Sequence, residues 1–278
     1  MPFKDLLVVV DESTSCAERI DVAVRLASTH DAHLTGLHVS APPDVAPAVL
    51  AQFPREMVDM LGRIGREDAA RAEGLFGERL RASGAPLATE WRAVQGAAGE
   101  VVGLHARYAD VAVLGQADPD SSAGARGLPE RVVMSSGRPI LVVPYAGTFT
   151  TLGRRVMVAW NATREAARAV NDALPLLRRA ESVRVVSVNP QRGPAGHGAI
   201  PGADISLHLA RHGVAVEASE VSAEDMRVDD VLLSQAADAG VDLIVMGAYG
   251  HSRLGELMLG GATRHILRQI TVPVFMSH

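Results

Sequence analysis

A single cysteine, Cys16, occurs in the 278 residues, which excludes disulfides and cysteine-based zinc sites. Positive charge is not in excess either. Lys and Arg number 27 against 32 Asp and Glu, and no basic stripe forms, so nucleic acid is not an expected partner. No apolar run approaches the ~18 residues that span a bilayer. The opening "MPFKDLLVVVDES" enters a strand pattern at once and lacks the layout of a secretory signal, so the expected home is a reducing cytoplasm. Phosphate signatures are missing as well: there is no G-x-x-x-x-G-K-[ST], and no G-x-G-x-x-G follows a strand. No Ser-His-Asp or Cys-His arrangement can be built. What remains, with 47% hydrophobic and 21% charged residues, is a globular chain long enough for two cores.

The chain is written twice. "LLVVVDESTSCAERIDVAVRLA" (Leu6 to Ala27) lies over "RVMVAWNATREAARAVNDALPL" (Arg155 to Leu176) at a shift of about 150 positions. In both, an apolar run ends in Asp11 or Asn161, a hydroxyl follows two residues on (Ser13 or Thr163), and an alanine-rich helical pattern begins. The ends also match: "YADVAVLG" with "GVDLIVMG", and "GRPILVVPY" with "TVPVFMSH". The join falls near "AGTFTTLGRR", which gives domains at 1–148 and 152–278.

Each half alternates five strands with helices. The expected strands are Leu6–Val10, Leu34–His38, Ala88–Trp91, Val111–Leu114 and Ile140–Val143, then Val156–Trp160, Val183–Val188, Val214–Glu217, Leu243–Met246 and Val274–Met276. They are short and rich in Val, Ile and Leu without alternation, as in strands covered on both faces. Such an order gives a parallel sheet with right-handed crossovers, an α/β fold made twice. The stretch Arg55 to Ser83 contains Gly62, Gly65, Gly74 and Gly77 and is expected to be bent or broken. The second half instead has a Gly/Pro-rich loop, Asn189 to Asp204, a candidate lid or a mobile connection.

Function is carried by "GAYGHSRLGELMLGGATRHIL", Gly247 to Leu267, with five glycines after the apolar run "VDLIVM". Two explanations compete. The glycines shape a strand-to-helix turn, or they bring backbone close to a ligand. Ligands of open parallel sheets bind beyond the carboxyl ends of the strands, and this segment lies there, with strand one ending at Trp160-Asn161-Ala162. Gly247 and Gly250 leave no side chain in the way. Gly260, Gly261, Ala262 and Thr263 open a helix whose free N–H groups favour an anion.

The spacing Gly247-x2-Gly250-x9-Gly260, with "VAWNATREAARAV" and "TVPVFM" on either side, resembles the universal stress protein family, once per half, as in a tandem member. The resemblance implies a Rossmann-like fold of the adenine nucleotide alpha hydrolase type. It comprises two five-stranded parallel sheets of order 3-2-1-4-5 with helices on both faces, and an intrachain pseudo-dimer through the last strands. It also implies ATP or a related adenine nucleotide, with Mg2+ as the accompanying ion. Adenine contacts would fall on Trp160 or Ala162 and on Val188. Asn161 would replace the usual aspartate, and Met246, Gly247, Gly250, Gly260, Gly261, Ala262 and Thr263 would wrap ribose and triphosphate. Gly261 stands where the family prefers Ser or Thr.

The first half departs further. After Gly115, "QADPDSSAGARGLPERVV" is two residues shorter than its counterpart. Pro129 replaces Thr263, Gly250 has no partner, Asp118 and Asp120 add negative charge, and Gly124 and Gly127 read as a plain loop. Nucleotide is therefore expected in the second half only. The expected role is a stress-response sensor or adaptor, with a further protein partner or a homodimer as the readout. The alternatives are a nucleotide-free scaffold or a slow ATPase; the S-G-G-x-D-S and H-x-G-H motifs of related nucleotide enzymes do not occur in "VVVDESTS" or "VAWNATRE". His208 and His212 sit i, i+4 but read as a helix end rather than a metal pair. His251 and Arg253 follow Gly250 and read either as phosphate contacts or as solvated loop residues. Cys16 reads as a small packed residue, with a helix N-terminus acting to lower its pKa.

Overall fold

The computed structural model describes residues 1–40, 54–117, 127–190, 200, 202–223, 225–249 and 261–278. The chain forms two compact units, Phe3–Ser136 and Gly137–His278, the latter joined by Met1–Pro2.

In the first unit the elements are β1 (Asp5–Val9), α1 (Cys16–His30), β2 (His33–Ser40), α2 (Arg55–Ser83), β3 (Thr89–Gln95), α3 (Ala98–Ala106), β4 (Val111–Gly115) and α4 (Leu128–Ser136). The strands are parallel in the order β3-β2-β1-β4. Leu6 through Val9 are all buried, so both faces of the central strand are covered. The covers are α1 with α2 and α3 with α4.

The helix α2 corrects one expectation. It runs unbroken for 29 residues through all four glycines. Each glycine costs roughly 1 kcal/mol relative to alanine, but Ala72 and Phe76 are buried, and Arg79 is bonded to Asp21 of α1. Tertiary anchoring at its carboxyl-terminal half overrides local propensity.

The second unit holds β5 (Ile140–Val143), β6 (Arg155–Ala159), α5 (Arg164–Asp172), α6 (Leu174–Leu177), β7 (Ser182–Val188), α7 (Ala203–Arg211), β8 (Val216–Val221), α8 (Val228–Asp238), β9 (Leu243–Gly247), α9 (Gly261–Gln269) and β10 (Val274–Ser277). Its parallel order is β8-β7-β6-β9-β10, the 3-2-1-4-5 arrangement. The last strand of the first repeat, β5, pairs antiparallel with β10, setting Leu141 opposite Phe275 and Ile140 opposite Met276. All four side chains are fully buried. Compactness therefore divides the chain after Ser136, one strand earlier than the sequence repeat does.

The edge strands β3 and β8 extend beyond the expected Ala88–Trp91 and Val214–Glu217. Most of their residues are exposed or half-buried, so polar residues continue the ladder where the apolar signal stops. Residues 191–199 and 201 of the candidate lid lie outside the described residues.

Candidate functional site

At the carboxyl end of the second sheet, β6 has β7 on one side and β9 on the other. Trp160 directly follows β6, Val188 ends β7 and Met246 is the penultimate residue of β9, so all three lie at this end of adjacent strands. Trp160 N–H continues the ladder to Val186 O at 2.9 Å, and the chain then reverses through Ala162, whose φ is 57°. Asn161 fixes this turn: its Oδ1 accepts from Thr163 N at 3.3 Å and Thr163 Oγ1 at 2.9 Å. Thr163 Oγ1 in turn accepts from Ala166 N at 3.3 Å and caps α5, as expected of an N-cap threonine. Asn161 and Ala162 are exposed. The amide Nδ2 of Asn161 donates to nothing among the described residues.

Gly247 ends β9 against the first turn of α5. A Cβ there would stand 2.5 Å from Ala166 N and 2.6 Å from Glu165 C. The missing side chain is thus required by helix packing, the plainer of the two explanations. Beyond it, Ala248 N–H donates to Ser277 O at 2.8 Å, and Tyr249, at φ 56°, donates its N–H to Thr263 Oγ1 at 3.1 Å. Thr263 is buried and its hydroxyl ties the two ends of the glycine segment together. Helix α9 has no acidic residue in its first turn, so no carboxylate of that turn offsets its dipole. Gly250, His251, Arg253 and Gly260 lie outside the described residues; for Gly261 and Ala262 only the helical backbone is described.

Two acids unmarked by the sequence support this end of the unit. Glu165, buried under Gly247, is bonded to Arg164. Burial alone would raise its carboxyl, yet the Arg164 bond and charge hold it below the usual range. Asp229, also buried, takes Arg227 Nη2 at 2.8 Å. His265 Nε2 of α9 lies 3.7 Å from Asp229 and 3.2 Å from Asp230, tying α9 to α8.

The first repeat builds the same turn and fills it differently. Asp11 Oδ1 accepts from Ser13 N at 3.0 Å, as Asn161 does from Thr163. Arg19, 1% exposed, reaches back from α1 to this turn. Its Nη1 donates to Val9 O at 2.9 Å and Asp11 Oδ2 at 2.8 Å, and its Nη2 to Asp11 Oδ1 at 2.9 Å and Ser13 Oγ at 2.7 Å. Burial opposes ionisation of Asp11, but the Arg19 charge and bonds, with Ser13, lower its pKa to about 2. A Cβ on Gly115 would meet Arg19 Cζ at 2.8 Å. Helix α4 carries Glu130 in its first turn, beside Pro129, which supplies no N–H. Asp118, Asp120 and Gly124 lie outside the described residues.

Sequence reasoning passed over Arg19. Its only signal was an arginine on the apolar face of α1 where the second repeat has Ala169. Cys16 is fully buried, and this desolvation raises its thiol pKa, overturning the expected helix-terminal lowering. His212 caps α7 before Gly213, at φ 79°, and accepts on Nδ1 from Arg178 Nη2 at 3.0 Å. The helix-end reading of this pair therefore stands. No described helix is long and apolar enough to cross a membrane.

The model of the universal stress protein family matches residues 2–144 and again 153–278. A curated relative, universal stress protein Slr1230 of Synechocystis sp., is 37% identical over 46 residues, a stretch that spans only 16% of either chain. Among solved structures, a universal stress protein from Archaeoglobus fulgidus DSM 4304 superposes with a TM-score of 0.71 at 15% identity, covering 98% of this chain and 96% of its own. A protein of Pseudomonas aeruginosa UCBPP-PA14 gives 0.58 at 12% identity over 99% and 93%. These likenesses show the fold, and the double family match covers nearly every residue. The chain belongs to the universal stress protein family.

Proposed function

We propose that the second repeat, residues 152–278, binds ATP or a related adenine nucleotide, and that the chain acts in the cytoplasm as a nucleotide-responsive sensor or adaptor read by another protein. One contrast carries the reading. Helix α9 opens with no acid in its first turn, whereas its counterpart α4 opens with Pro129 and Glu130. An anion is favoured at the first terminus and disfavoured at the second.

The residues at hand fit a nucleotide in part. The Asn161 Nδ2 and the Thr263 hydroxyl hydrogen remain donors after their own bonds are made. Trp160, Val188 and Met246 supply apolar surface for a base. Main-chain amides of 261–263 would hold phosphate oxygens, with Mg2+ accompanying them. Bound nucleotide would supply the signal through its contacts with the main chain at 261–263. Gly247 favours the second reading, a nucleotide-free scaffold, because helix packing alone accounts for that glycine. No turnover is proposed.

The test is to denature purified protein and assay the released nucleotide, then to titrate stripped protein with ATP by calorimetry. One equivalent per chain is expected. None would remove the nucleotide and leave the scaffold; two would remove the restriction to one repeat.

A further inference from the structure

Helix α2 overshoots the sheet it covers. Its carboxyl-terminal half is held by buried Ala72 and Phe76 and by the bond from Arg79 to Asp21. At Gly65 it passes the last residue of β2, where a Cβ would lie 3.9 Å from Ser40 Oγ. From Arg55 to Ile64 every residue except Leu61 is exposed, so ~15 Å of helix projects past the strand end. These turns are not polar all round. Met57, Met60 and Ile64 are 48%, 52% and 46% exposed, and they recur at i, i+3 and i+7 with half-buried Leu61 beside them, one apolar ridge. Written as a heptad, Met57 and Ile64 take position a, Met60 takes d, and Glu56 and Arg63 take g. Neither Glu56 nor Arg63 makes an ion pair among the described residues. A helix of three turns with no packed face is marginal in water, and a charge-rimmed apolar ridge marks a contact surface.

The charges select the partner. Two antiparallel copies that set Met57 against Met60 of the second copy bring g opposite g, so Glu56 of each helix stands beside Arg63 of the other, twice. A parallel pair would instead set Glu56 beside Leu61 and Arg63 beside Asp68, and Asp68 is already bonded to Arg71. We infer that the projecting turns of α2 are a self-docking face. Two copies of this chain pair antiparallel through Met57, Met60 and Ile64, and two Glu56–Arg63 ion pairs set the register. The face is small, so the dimer is weak and concentration-dependent. Methionine suits such a contact because its flexible side chain repacks against its own copy. Nothing in this pairing depends on nucleotide.

The test is sedimentation equilibrium of the full chain over a wide concentration range. A reversible dimer is expected. Met60 is exposed in the single chain, so Met60→Glu should keep the circular dichroism spectrum and thermal transition of dilute protein. It should weaken association about a hundredfold or more, because two apolar contacts are lost at once. Glu56→Arg alone and Arg63→Glu alone should each weaken it about fivefold or more, since two attractive pairs become two repulsive ones. Combining both in one chain should restore the natural affinity. Mixing the two single variants should restore it too, as a heterodimer, a result that only the antiparallel register gives. A chain that stays monomeric at every concentration overturns the inference. So does a dimer indifferent to Met60→Glu, or single charge variants that neither combination nor mixing rescues. A monomer whose Met57 and Met60 resist hydrogen peroxide would give the ridge to another segment of the same chain, and overturns it as well.

Discussion

Replacing Gly247 by alanine separates the two explanations of the glycine segment. Its φ is not in the left-handed region, so alanine meets no backbone strain and the test concerns space alone. The new methyl would lie 2.5 Å from Ala166 N, 2.6 Å from Glu165 C and 2.9 Å from Glu165 Cβ. Two of these neighbours are main-chain atoms of a helix, so no rotamer change relieves the overlap. Helix α5 must withdraw by about 1 Å from β9 and β10, and overpacking of this kind costs roughly 1–3 kcal/mol. The upper half of that range is expected, about 2–3 kcal/mol, because backbone has to move. In a domain of this size that lowers the transition by about 5–10 °C. The assay is urea and thermal unfolding in a Trp91→Phe background, where Trp160 alone reports the second unit; two units need not unfold together. Gly115→Ala is the companion, since the nearest neighbour of its methyl is the guanidinium of Arg19 at 2.8 Å, with an expected loss of about 1–2 kcal/mol. If Gly247→Ala changed stability by less than about 0.5 kcal/mol while abolishing nucleotide binding, the packing argument would fail and the glycine would belong to the ligand.

Three other outcomes follow from the same contacts. Thr163→Ala removes the cap of α5 and should cost about 1 kcal/mol in urea titration, with Thr163→Ser restoring most of it. Thr263→Val removes the acceptor of Tyr249 N–H; hydrogen exchange at Tyr249 should accelerate by about fivefold, matching a loss of about 1 kcal/mol. An unchanged exchange rate would show that Thr263 does not hold the segment. The acid response of the first unit follows from Asp11, whose pKa falls from 3.8 to about 2 on folding. Because the folded value is the lower one, this stabilisation is complete above pH 4 and is lost as pH falls toward 2. The shift alone corresponds to about 2 kcal/mol, reduced to about 1 kcal/mol by solvent screening of a carboxylate that is 39% exposed. The Asp11→Asn, Arg19→Ala pair should flatten the stability profile over that pH interval, and an unaltered slope would refute the assignment.

The fold was legible because its signals are local and repeated. Runs such as "LLVVV" and "RVMVA" are apolar on both faces, and the Asp11/Ser13 and Asn161/Thr163 pairs mark the same turn in each half. What escaped depends on partners distant in sequence. Nothing near Gly62 announces that α2 will be anchored by Arg79 on Asp21 of another helix. The pairing of the two last strands, β5 with β10, is the one the family resemblance implies, but nothing in "GRPILVVPY" itself shows that β5 belongs to the second compact unit. Arg19 looked like an ordinary polar helix residue because a fully buried arginine is improbable until its four acceptors are assembled around it. The candidate site was only half legible for the same reason. Its turn and cap are local, while the close approach of Glu165 and Ala166 to Gly247 joins residues about 80 positions apart.

Gly115 and Gly247 occupy the same place in their repeats, at the end of the fourth strand, and each lacks a side chain for a different neighbour. In one repeat the space is taken by a guanidinium, in the other by the backbone of a helix. A glycine at this position is therefore demanded by packing whether or not a guest is bound, and says nothing by itself about ligands. What separates the repeats is charge. The first has Asp11 and Arg19 neutralising one another, and a helix α4 whose first turn carries Glu130. The second has neutral Asn161 and Ala169 at the same positions, and its last helix opens with no acid in its first turn. Placing an acid in the first turn of α9, as Ala262→Glu, should weaken ATP binding by about tenfold, since a charge at a helix N-terminus is worth roughly 1–2 kcal/mol in partly buried geometry. Binding that is indifferent to this substitution would mean that the phosphates are held elsewhere, and the charge argument would have to be abandoned.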